Sequence, residues 1–190
     1  MDIFYYLFNM GITALGRSLD LLSTYYITPN LKLETNRIVG RFGWKGAILI
    51  QIPVVLFGTF FRPIAVFFLA WSIIIAASNI SGAWFVRHFP GGDVKYSEFL
   101  KNAAKQAKLK NILLDEMPPL ILYTIPSLLV WIWAQLEKGF VLYVITEETF
   151  LSYILIITGA LMLHGIMGFI RNFLYIYRLR REKNEELEEN

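Results

Sequence analysis

At 190 residues the chain has the length of one soluble domain, yet 56% of it is hydrophobic and its mean hydropathy is +0.49, beyond the usual apolar share of globular proteins. The absence of cysteine excludes disulfides, thiol catalysis and cysteine-held metals. A net charge of +3 and a pI near 9.1 would suit nucleic acid if the basic residues formed a stripe on a soluble fold, but they flank apolar runs, so anionic lipid is the expected partner and nucleic acid is not.

The expected fold is all-α: a polytopic membrane helix bundle with five transmembrane helices and a cytoplasmic amphipathic surface helix. Residues 1–176 form a single transmembrane domain and 177–190 a charged tail. A span needs about 20 residues to cross roughly 30 Å of hydrocarbon. The first falls at 4–27. No basic stretch precedes it and Arg17 and Asp20 interrupt it, so it reads as a retained span and not as a signal peptide. A loop from Pro29 to Arg37 follows, mixing apolar and charged residues. As one helix, 46–86 would run about 60 Å. It must fold back, and Arg62-Pro63 supplies the break, giving spans at 46–61 and 64–86 in a tight hairpin. Pro53 is expected to kink the second span and Pro126 the fourth.

Phe89-Pro90-Gly91-Gly92-Asp93 closes the third span as a turn. A surface helix is expected over 96–116, capped by Ser97, with Lys101, Lys105 and Lys108 on one side and Leu100, Ala103, Ala107 and Leu114 on another. Such a helix suits anionic headgroups, a solvated connector being the alternative. Pro118-Pro119 opens the fourth span, 119–136. The fifth covers 149–170 and continues past Arg171 into a tail that is basic first and acidic beyond.

With these spans, 15 of the 18 Lys and Arg fall on one side of the membrane. The positive-inside rule then puts the N-terminus outside and the C-terminus in the cytoplasm, in the cell (inner) membrane. Tyr25, Tyr26, Trp44, Trp84, Trp131 and Trp133 fall where spans meet headgroups, as an aromatic belt requires.

The topology also predicts depth. Asp20, Gln51, Asn79 and His164 each lie roughly 8–11 Å below the cytoplasmic interface. Polar groups there are costly and normally face the bundle interior, which makes them candidates for function. Thr13, Arg17, Asp20 and Thr24 share one face of the first span. Arg17 and Asp20 pair at i+3, either as a self-neutralising strut or as part of a site. If the first loop dips back, Glu34 and Asn36 join Asp20 and Lys45 supplies a compensating charge. Asp20, Glu34 and Asn36 would suit a divalent cation such as magnesium or calcium, or would hold a polar headgroup. His164, among Gly159, Ala160, Gly165 and Gly168, is either a packing residue or a pocket member. No recognisable catalytic motif occurs.

The run Asp20-Leu-Leu-Ser-Thr24, then Leu33-Glu34-Thr-Asn36, Phe42-Gly-Trp-Lys45 and Asn79, resembles a family of small prokaryotic multi-span membrane domains of unknown function, over about residues 12–88. Arg37 stands where that family's loop has proline. The resemblance implies that Asp20, Glu34, Asn36, Lys45 and Asn79 act together. The expected function is binding of a small ion or an anionic lipid headgroup in a polar pocket, with a divalent cation or bound lipid as cofactor. A homo-oligomer or a membrane-complex partner is also envisaged. The alternatives are a structural subunit or assembly factor, and an intramembrane lipid-modifying enzyme.

Overall fold

A chain this apolar turns only where a residue disfavours helix, and it does so at Arg62-Pro63. Phe61 is extended (φ −134°, ψ 113°), and Pro63 sits in the first turn of the next helix, where its missing N–H costs nothing. The computed structural model describes residues 3–34, 37–139, 145 and 147–188. It is all-α and 88% helical. In chain order the elements are α1 (Ile3–Ile27), α2 (Arg37–Phe60), α3 (Arg62–His88), α4 (Gly92–Gln106), α5 (Leu109–Asp115), a π-helical turn (Leu120–Thr124) leading into α6 (Ile125–Lys138), and α7 (Phe150–Glu188).

Four helical runs among the described residues are long and apolar enough to cross a membrane: Arg41–Phe60, Arg62–His88, Leu109–Glu137 and Phe150–Arg178. They point to a membrane protein. The first expected span is not among them: α1 has the length, at 25 residues, but Asn9, Arg17 and Asp20 interrupt its apolar run. Large apolar side chains stand exposed on the spanning helices, among them Ile48, Leu56 and Phe57 of α2 and Leu129, Ile132 and Trp133 of α6. Such surfaces require an apolar surrounding.

Small residues decide how the first three helices meet. A Cβ on Gly16 would lie 2.9 Å from the Leu69 backbone of α3, and one on Gly58 of α2 would overlap the Thr13 side chain. Thus α1 packs against both neighbours, and α3 packs mainly on α1 and less on α2. The expected tight hairpin is corrected accordingly: its two arms share α1 as their common partner. At the other end of α1, Arg62 lies over the rings of Tyr5 (4.6 Å) and Phe8 (5.9 Å) and pairs with Glu148 (3.3 Å), joining the start of α3 to the segment before α7.

Several local expectations change. The non-helical point in α2 is Gly43 (φ 61°, ψ −149°), not Pro53, because glycine adopts positive φ without a Cβ clash. Pro126 falls at the start of α6, directly after the π-helical turn, where the wider turn makes room for its ring. The surface helix is two helices, broken where Ala107 (ψ 147°) and Lys108 (ψ 133°) are extended. α4 begins at Gly92, after Gly91 at φ 88°, so Ser97 is not its cap; its Oγ donates to the Val94 carbonyl at 2.7 Å. Lys101 and Lys105 lie on α4, whereas Lys108 is in the break and off their face. The apolar side of α4 turns inward: Ala104 is buried, and α4 packs on α3 and α7. Leu114 stands exposed on α5, apart from that side. Trp131 packs against α7, its Nε1 donating to the Leu155 carbonyl and Thr158 Oγ1, both at 3.2 Å.

Candidate functional site

The polar face of α1 opens on a cavity of about 480 Å³ bounded by α1, α2, α3, α7 and the loop after α1. Arg17 spans it at one side. Its Nε donates to Gln51 Oε1 (2.6 Å), its Nη1 to Ser72 Oγ (3.0 Å) and its Nη2 to Asp20 Oδ2 (2.5 Å), so one guanidinium ties together three helices. The pair is largely buried, with side-chain exposures of 14% and 15%. A charge so placed is tolerable only when paired and hydrogen-bonded. One turn further along α1, Asn79 Nδ2 donates to Ser23 Oγ (3.1 Å) and Thr24 Oγ1 (3.3 Å), fixing the α3 amide beside the Asp20 level.

Of the residues singled out from sequence, Arg17, Asp20, Thr24, Glu34 and Asn79 line this cavity. Gln51, from the same predicted depth, lines it too. Asn36 lies outside the described residues. Lys45 does not line it: it is exposed, on the helical turn that follows the Gly43 kink. Nor does His164, which lies two turns along α7 from Arg171. Its ring packs edge-on to Tyr123 (5.5 Å), where Gly165 lets α7 approach the Pro119 carbonyl. Close packing against the π-helical turn, not the cavity, decides its environment.

Two α7 residues not among the sequence-based candidates, Arg171 and Asn172, complete the lining. Arg171 enters no ion pair among the described residues. The signal for both was the unbroken helical run beyond residue 170, which carries α7 alongside the cavity before it leaves the bundle. Asn172 Nδ2 donates to Glu116 Oε2 at 2.8 Å, fastening the end of α5 to α7.

The loop after α1 is held by a residue read from sequence only as part of a turn. Asp93, in the first turn of α4, accepts from Thr28 Oγ1 (2.9 Å), Asn30 Nδ2 (2.9 Å) and the Asn30 backbone N–H (3.1 Å). Thr28 Oγ1 in turn accepts from the Leu33 N–H (3.2 Å), and Trp44 Nε1 donates to the Pro29 carbonyl (3.0 Å). These bonds bring Leu33 and Glu34 to the cavity wall. Burial works against the Asp93 charge, but the bonds from Asn30, Thr28 and the backbone outweigh it and hold the carboxyl below its ordinary range.

Chemically the cavity joins two arginines and two carboxylates with the amides of Gln51, Asn79 and Asn172. Among the described residues no group of three or more His, Cys, Asp or Glu is placed to hold a metal ion. A second cavity of about 490 Å³ lies beneath α4 and shares Ile27, Leu33 and Asn172 with the first. Compared with protein-family models, with curated proteins and with solved structures, the chain matches none.

Proposed function

We propose that the chain is an integral protein of the inner membrane, with α1 as a fifth span, its N-terminus outside and the α4 end of the bundle at the cytoplasmic leaflet, and that its polar cavity binds an anionic lipid headgroup. The orientation is supported by the distribution of Lys and Arg. The observation that carries the binding is Arg171: a cation at the cavity wall with no ion pair among the described residues, next to the Asn172 amide. A phosphate oxygen suits a guanidinium, which can offer two parallel N–H donors. Arg17, by contrast, has its donors engaged by Gln51, Ser72 and Asp20, which favours a structural role for it and keeps the strut reading alive for that residue. The metal reading has less support, since carboxylates here stand beside arginines. The surface of α4 that carries Lys101 and Lys105 supplies further attraction to anionic lipid, about 1 kcal/mol per basic residue near the surface.

The test is native mass spectrometry of the full chain released from vesicles containing phosphatidylglycerol and phosphatidylcholine. Retention of phosphatidylglycerol over phosphatidylcholine is expected, falling at least tenfold in Arg171→Gln. Equal retention in the variant and the unaltered chain overturns the reading.

A further inference from the structure

The second cavity is unlike the first in what it offers. Its walls are Leu100, Ala103 and Ala104 of α4, Ala107 in the break after it, Val86 of α3 and Ile176 of α7, and its polar groups are gathered towards the α5 end at Asp115, Glu116 and Asn172. The alanines matter: the short side chains of Ala103, Ala104 and Ala107 line a hollow that longer ones would fill. Gly82 of α3 extends the hollow, because a Cβ placed there would meet nothing within 4 Å. The two cavities are neighbours across Ile27, Leu33 and Asn172, so a ligand reaching from one to the other passes from charged to apolar walls at Asn172.

From this adjacency, and from the cation at Arg171, we infer that the ligand is an anionic phospholipid whose phosphate sits at Arg171 while one of its acyl chains is drawn out of the bilayer into the cavity beneath α4. The inference rests on the headgroup reading above and adds the place of the chain. Each cavity has the volume of a small-molecule site. A chain moved from bilayer to protein exchanges one apolar surrounding for another, so selectivity comes from the net negative charge of the head, which a choline cation would cancel, and the hollow supplies room. The site therefore selects for head charge and needs a chain able to enter, whereas a soluble phosphate ester would leave the α4 cavity unfilled.

The experiment uses phosphatidylglycerol carrying a diazirine midway along one chain, in vesicles with the full-length protein. After illumination, labelled peptides are mapped by mass spectrometry. Labelling is expected on α4 between Tyr96 and Ala107 and on α7 near Ile176, beside general labelling of outward residues such as Leu56 and Leu129. Gly82→Phe puts a ring into the hollow from a position where an added Cβ meets nothing within 4 Å, and it is expected to lower the α4 labelling at least fivefold relative to that of Leu56. If labelling is confined to outward faces in the unaltered chain, or if Gly82→Phe leaves α4 labelling unchanged, the chain placement is overturned. The headgroup reading fails separately, by unchanged phosphatidylglycerol retention in Arg171→Gln.

Discussion

Replacing Asp93 with alanine removes the acceptor that closes the loop between α1 and α2. Asp93 is 4% exposed and Thr28 3% exposed, so the bond between them is shielded from water, and a hydrogen bond to a charged group of this kind contributes about 1.5–3 kcal/mol. Asn30 is exposed and can turn to water when the carboxylate is gone, so its two bonds add less. A loss of about 3 kcal/mol is expected in reversible unfolding in mixed micelles. The loop also reports on itself: Trp44 donates to Pro29 and lies edge-on to Tyr25 (5.4 Å), so its emission, taken as the difference from Trp44→Phe, shifts when the loop is released. The pH dependence has a fixed sign. The folded carboxyl titrates below the unfolded value of about 3.9, so its contribution is complete above that pH and is lost as pH falls through the lower folded value. Asp93→Asn removes this part of the acid response. Stability within about 0.5 kcal/mol of the unaltered chain for Asp93→Ala, or an unmoved Trp44, would refute the role given to this carboxylate.

Two further substitutions test the packing around the cavity. Gly58→Val forces a side chain into Thr13 and is expected to cost about 1–3 kcal/mol, much of it recovered in Gly58→Val with Thr13→Ala; strict additivity of the two would contradict the close approach of α1 and α2. Arg17→Leu leaves Asp20 buried without its partner and is expected to cost about 3–5 kcal/mol, whereas Arg17→Leu with Asp20→Leu is milder than the single change, as measured by unfolding midpoints.

Helix positions were largely legible in the sequence because they follow from apolar length and from Arg62-Pro63. The gathering of Asp20, Gln51 and Asn79 at one cavity was legible too, since rise per residue places them at matching positions along their helices. Direction around a helix was harder. His164 lies two turns along α7 from the cavity residue Arg171, where Gly165 brings α7 against the π-helical turn, and no count along one chain reveals which neighbour a glycine admits. Lys45 was misplaced because Gly43 takes a positive φ, a backbone choice that its own residue type permits without requiring. Asp93 read as part of a turn because its partners, Thr28 and Asn30, lie more than sixty positions away. The helix was expected to continue past Arg171, and α7 does run to Glu188, but nothing along one chain showed that Arg171 would face the polar cavity.

The fastening of Arg62 to Tyr5, Phe8 and Glu148 makes a pivot far from the cavity. From Arg62 to Asn79 along α3 is about 25 Å, so a tilt of about 5° there displaces Asn79 by about 2 Å. The contacts of Arg62 at the remote end thus bear, along one rigid helix, on where Asn79 stands beside Ser23 and Thr24.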